Sequence, residues 1–302
     1  MAWHALRAAG ESVTATRRLL ANATMAAWLR LSVLALFVGT LVTPFLVDFN
    51  RGATLLGSLP DPTLLLVAGL FVGLAALCVG TVFEFVFLEA LRGERVRLVT
   101  DSGRRFRAGM EVFAFRTALA LVLGLAVGAF VLFDLPPAIG PLASLVVVLA
   151  VLDRLTVAFV VPIMLVDGRS LPDGWRAFSP TLRREWREYA LYLLVATLLW
   201  SAVAVVGGFA GALLAGLLLV PFVVLGGAVG GTLLAQGLSE ATVGQAVIGT
   251  LAVPYLLAFV TLVLLAHVPA VAYLRYIALF VLGDTAERYD PIPRLRAAIR
   301  RG

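Results

Sequence analysis

The chain alternates between long charge-free apolar runs and arginine-rich connections. The first run, "LSVLALFVGTLVTPFLV", lies between Arg30 and Asp48. Others lie between Asp61 and Glu84, between Arg116 and Asp134, and from about Leu142 to Val166, the last carrying Asp153 and Arg154. Tyr189 to Ser239 then holds no charge, and a run from Ala241 to Leu274 extends past Arg275 to about Leu282. A helix needs roughly 17–25 apolar residues to cross a hydrocarbon layer. These lengths predict an all-α fold, a polytopic transmembrane helical bundle. The spans fall at about 27–48, 63–90, 110–133, 141–166, 188–220 and 243–282. Six spans are favoured. Eight follow if the stretch from Tyr189 holds two short helices broken at Gly207–Gly211, and 210–235 also reads as a re-entrant piece around Pro221. Residues 1–24 read as an interfacial amphipathic helix, 25–283 as the bundle and 284–302 as a basic tail. The last span, roughly 58 Å as a helix, exceeds a bilayer core of about 30 Å. It must tilt, kink at Pro254 or Pro269, or emerge at the interface.

Finer periodicities lie inside this frame. Trp3, Leu6, Val13 and Leu20 form one stripe near the N-terminus. Further on, Asp173–Gly174 reads as a turn and Ser179 as an N-cap before Pro180. Trp175, Phe178, Leu182, Trp186 and Tyr189 share one helical face there. The pairs Gly69/Gly73, Gly124/Gly128, Gly207/Gly211 and Gly226/Gly230 have the spacing that brings helix backbones close, so they predict helix packing within the chain. A weak repeat is visible in three return ends, Val82–Glu94, Val157–Gly168 and Val271–Asp284.

Composition narrows the class. Apolar residues make up 61% and charged residues 14%, with a mean hydropathy of +1.01. That excludes a soluble globule, a secreted disulfide scaffold and a nucleic-acid partner. All 24 basic residues are arginine. All but Arg51, Arg154 and Arg275 fall in the N-terminal segment, in 92–116, in 169–187 or in the tail. Under the positive-inside rule both termini are cytoplasmic in a plasma membrane. The first apolar run begins after about 24 residues without a cleavage signature, and reads as a retained anchor. Arg17, Arg18, Arg104, Arg105, Arg107, Arg183, Arg184 and Arg187 are candidates for lipid-headgroup contact. Cys78 reads as a small core residue, and His4 and His267 are too far apart for a local metal motif.

Ionisable residues within a bilayer cost several kcal/mol on insertion scales, so each needs a partner. Glu84, Arg116 and Arg275 fall roughly 10–12 Å deep and form a candidate cluster. Asp153 and Arg154 lie nearer the midplane, and pairing of Arg154 with Glu84, or of Asp153 with Arg116 or Arg275, would close a network. Such a cluster either fixes helix register or lines a path. No metal-protease, hydrolase, Walker or dinucleotide motif occurs, so no catalytic residue, metal or cofactor is expected.

The segments "ALRAAGESVTATRRLL", "FEFVFLEALRGERVRL", "GWRAFSPTLRREWREYALYLL" and "VPAVAYLRYIALFVLGD" resemble an uncharacterised multi-pass membrane family of halophilic archaea. The pattern "FVVPIML…GWRAF…LRREW" is distantly similar to the membrane domain accompanying some bacterial glycerophosphodiester phosphodiesterases. The resemblance implies an archaeal plasma-membrane module without assigned chemistry. The expected function is a non-enzymatic membrane-organising or partner-binding module, with lipids and a protein partner or second copy as partners. The alternatives are a transporter or channel using the charged cluster, and a lipid-handling protein.

Overall fold

A computed structural model describes residues 4–38, 63–93, 98–132 and 139–301. Trp3, Arg51 and the outer half of the first expected span lie outside the described residues. The described chain is all-helical. The helices are α1 (His4–Ala21), α2 (Met25–Phe37), α3 (Thr63–Leu91), α4 (Leu98–Leu132), α5 (Ile139–Leu155), α6 (Val161–Asp167), α7 (Leu171–Arg184), α8 (Trp186–Ala235), α9 (Glu240–Thr285) and α10 (Pro293–Arg301). A π-helical turn, Thr156–Val160, joins α5 to α6. Five of the described helical stretches are long and apolar enough to cross a membrane, and α2 is a shorter apolar helix.

The uncharged run from Tyr189 forms one helix of 50 residues, about 75 Å long. It is not broken at Gly207–Gly211 and it has no re-entrant piece at Pro221. A helical glycine costs about 1 kcal/mol, less than the several kcal/mol of an unpaired backbone group away from water. Helix α9 likewise runs through Pro254 and Pro269. The two helices pair along their whole length. Tyr189 Oη lies 2.7 Å from Thr285 Oγ1 at one end, and the Tyr255 hydroxyl donates to the Ala215 carbonyl at 3.2 Å midway. Gly226 and Gly230 face Val247 and Val243 near the other end.

Large buried side chains gather at the Tyr189 end, here called the base. The three return ends meet there, with Phe85, Phe87, Phe159, Ile163, Tyr276 and Phe280 all buried. Phe159 packs edge-on against Tyr189 and Tyr192 and stacks on Phe178. Away from the base, the outer faces of α3, α4, α8 and α9 expose Leu70, Leu125, Leu217 and Leu257.

One packing face was not anticipated, and two local expectations change. Helix α1 packs on α9 through Ala8, Ser12, Ala15 and Thr16, while Leu6 and Val13 are exposed. Small side chains let the backbones approach, and the hydroxyls are satisfied internally, Ser12 donating to the Ala8 carbonyl and Thr16 to the Ser12 carbonyl. The N-cap of helix α7 lies nine residues before the expected one. Ser170 is its N-cap, Asp173–Gly174 lie in its first turn, and Gly174 meets Val160 so closely that a Cβ would clash. Trp186 is exposed because the helix path breaks at Glu185. Finally, Gly69/Gly73, Gly124/Gly128 and Gly207/Gly211 face open space, and only Gly226/Gly230 contact a neighbouring helix. The closest approach is made by Gly109 of α4 against Val82 of α3.

Candidate functional site

The five deep charges include two direct interhelical ion pairs, Arg116–Asp153 and Arg275–Glu84, and lie near enough to interact further, Arg116 with Glu84 and Arg154 with Asp153, Arg116 and Arg275. Arg116 of α4 grips Asp153 of α5 with two parallel bonds, Nε to Oδ1 at 2.7 Å and Nη2 to Oδ2 at 3.1 Å. This is the bidentate geometry that suits guanidinium and carboxylate. Arg275 of α9 places Nη2 at 2.6 Å from both oxygens of Glu84 on α3. Glu84 is 1% exposed and Arg275 14%. Arg154 does not reach Glu84. It is exposed, with its guanidinium 5.3 Å above the Trp200 ring.

The π-turn explains why Arg275 takes a further contact. Val161 N–H reaches back five residues to the Thr156 carbonyl. The next rung would join residue 162 to the Val157 carbonyl, but Pro162 has no N–H to give. Arg275 Nη1 donates to that carbonyl at 3.4 Å. One side chain thus answers a buried carboxylate on α3 and the carbonyl that a proline leaves over.

A second set of charges ties the base together at the chain ends. Asp284 accepts from Arg7 at 2.7 Å, from Arg296 at 3.1 Å and from Arg300 at 2.8 Å. Glu11 accepts from Arg300 at 2.9 and 3.0 Å, which raises the Arg300 pKa. Asp290 accepts from the Ile292 N–H and pairs with Arg296, while burial pushes its carboxyl pKa up. Within the described part of the expected basic tail, α10 folds back on α1. The sequence reading passed over Asp284 and Glu11. Their signal was isolation, two acids within or beside arginine-rich segments.

Glu89 and Glu111 were also passed over. Glu89 is buried and accepts from Arg104 at 2.9 Å and from Arg105. Glu111 accepts from the Leu171 N–H at 2.7 Å and so caps α7. The Ser170 hydroxyl and then Arg176 hold the Asp173 carboxyl below its ordinary pKa. Of the candidate headgroup arginines, Arg104 and Arg105 are engaged by Glu89. Arg184 bonds Glu185 at 3.2 Å and the Thr285 carbonyl at 3.4 Å. Arg187 lies over the Trp186 ring, and Arg17, Arg18, Arg107 and Arg183 are exposed. Among the described residues no group of three or more His, Cys, Asp or Glu side chains gathers to hold a metal.

A protein-family model described as a family of unknown function (DUF7544) matches residues 3–292. That description carries no link to glycerophosphodiester phosphodiesterases. No curated protein and no solved structure matches the chain.

Proposed function

The chain belongs to the DUF7544 family of unknown function, and from the geometry above we propose that it is an integral membrane module without an active site of its own. It organises lipids or a partner subunit at the plasma membrane. The five long apolar helices and the shorter apolar α2 support a reading of six spans. The ends lie together, since Arg300 bonds Glu11. The arginine-rich connections mark that side as cytoplasmic.

One observation carries the reading against a transport path. Both deep carboxylates are closed by an arginine of a neighbouring helix. A group that carries an ion or proton must bind and release it, whereas a paired charge fixes which helices meet and in what register. Flux assays in proteoliposomes test this. The expected result is no flux of ions, protons or small solutes above empty vesicles, with a lowered melting temperature for Glu84→Gln and Asp153→Asn in detergent. A wild-type flux that either variant abolishes refutes the proposal.

A further inference from the structure

Three arginines and two carboxylates lie deep in the apolar segments, Arg116, Arg154 and Arg275 against Glu84 and Asp153. Each carboxylate is closed by a direct ion pair, Asp153 by Arg116 and Glu84 by Arg275. Arg154 feels the charge of Asp153, its neighbour in sequence, but both oxygens of that carboxylate already hold Arg116. One positive charge is left over, whatever its longer-range attractions. Among the described residues the direct contact that Arg154 makes is with the face of Trp200 on α8. A ring face attracts a cation without neutralising it. Charges within a bilayer are costly and are almost always paired, so the balancing anion has to come from outside the chain.

Arg154 also stands on the outside of the molecule. Gly140, Ala143, Val147 and Ala150 precede it at alternating spacings of four and three, and all five residues are exposed. That alternation puts them on one face of α5 and is the spacing of a seam along which a second helix lies. Helix α5 packs on α4 and on the π-turn, which leaves this face uncovered. Leu155 and the π-turn that follow are buried, so Arg154 closes the seam where the base begins.

Depth decides what kind of anion fits. The helical run Gly140–Asp167 has 28 residues, about 42 Å, and Arg154 lies roughly 20 Å from each end. Its guanidinium stays at that depth, because Trp200 is itself roughly 21 Å along α8 from Trp186. Lipid phosphates lie outside a hydrocarbon core of about 30 Å, whereas a carboxylate on a crossing helix can stand at any depth. A second copy of this chain brings no free deep carboxylate, since Glu84 and Asp153 are both engaged. A two-fold contact through this face would also set Arg154 against itself.

We propose that the Gly140–Arg154 face of α5 docks a transmembrane helix of a different protein, an apolar helix with one Asp or Glu near its middle that pairs with Arg154. Each charge then makes the other tolerable in the membrane, so the two chains are selected for one another. The proposal rests on the membrane reading and deepens it by naming the chemistry of the partner.

Synthetic helices test it. Leu/Ala peptides of about 20 residues, with a central Asp or a central Leu, are titrated into the full chain in phosphatidylcholine nanodiscs and read by native mass spectrometry. One equivalent of the Asp peptide is expected to bind at least tenfold tighter than the Leu peptide. Arg154→Leu should erase that difference, and Arg183→Gln, outside the apolar segments, should keep it. Moving the Asp two turns towards either end of the peptide should cost at least tenfold. Arg154→Leu should melt no lower than wild type when no peptide is present, because an unbalanced charge has been removed. Equal binding of the two peptides by wild type overturns the proposal, as does an Asp preference that survives Arg154→Leu. A clearly lowered melting temperature for Arg154→Leu alone overturns it too, since Arg154 would then serve the fold through Trp200. Anionic lipid, or a second copy, retained by wild type and lost in Arg154→Leu without any peptide preference would assign the face to that occupant instead. Flotation with liposomes after an alkaline wash separates the two levels. A wild-type chain that fails to float defeats the membrane reading, whereas one that floats but ignores the Asp peptide defeats only the docking face.

Discussion

At its base the α8–α9 hairpin sets Tyr189 against Thr285, Phe159 and Phe178. Towards its far end the same two helices touch through Gly226 and Gly230, and Leu217, Val224 and Leu257 point outwards. Both ends carry many apolar side chains. They differ in what covers the apolar atoms. At the base the chain covers itself, at roughly 25 cal/mol for each Å² removed from water. At the far end large apolar side chains face outwards and the chain leaves them uncovered. The base thus draws its order from internal contacts and the outer hairpin from its surroundings, which under the proposed function is lipid.

Equal truncations at the two ends give the largest contrast. Phe159→Ala removes a fully buried ring from the aromatic cluster, and such losses cost about 3–5 kcal/mol. Leu217→Ala, at a position 72% exposed, should change stability by less than about 0.5 kcal/mol. Unfolding in detergent followed by circular dichroism reads both, and equal losses would erase the distinction between base and hairpin.

The deep pairs sharpen it at a similar or slightly smaller scale. Glu84→Gln leaves the Arg275 charge buried without its carboxylate, a change worth about 3–5 kcal/mol where a pair is fully buried. Replacing both, as Glu84→Gln/Arg275→Met, should recover most of that loss, because an apolar pair avoids desolvating two charges. A double variant no more stable than Glu84→Gln would mean that Arg275 acts chiefly through the Val157 carbonyl.

Glycine gives the smallest contrast. A Cβ at Gly109 would fall 2.9 Å from the Val82 Cα, a backbone atom that cannot swing aside. Gly109→Ala should therefore destabilise by about 1–3 kcal/mol. At Gly207 nothing lies within 4 Å, so Gly207→Ala should stabilise by up to about 1 kcal/mol through helix propensity. Thermal melts of the two variants moving in the same direction would contradict this assignment of the two glycines.

The parts of this picture legible in the sequence are those governed by long averages. Charge-free runs located the long apolar helices, because one charge changes the mean of a whole segment. The Arg116–Asp153 pair was among the pairings anticipated, since a charge inside an apolar segment has few partners of opposite sign within reach. Choices between alternatives of similar local energy were not legible. Glu84 had both Arg154 and Arg275 as candidate neighbours, and the missing N–H of Pro162 beside Val157 helps to set Arg275 as the one that turns inwards. In α1 the stripe of large residues was read as the face of an interfacial helix, and what the sequence did not show is that Ala8, Ser12 and Ala15 on another face are buried because α9 comes close. That depends on a helix far along the chain. Gly207–Gly211 looked like a break only by the habits of helices in water.

The Arg7–Asp284 contact spans 277 positions of sequence, which has a consequence for the chain as it is made. Translation proceeds at about 5–20 residues per second, so Asp284 leaves the ribosome roughly 15–55 s after Arg7. Throughout that interval α1 exists without the helix that receives its small-residue face, and the earlier hairpins must be in place before the base can close. The closing contact of the fold is thus among the last parts of the chain to be synthesised, and a nascent chain truncated before Asp284 would leave its first helix waiting for a partner.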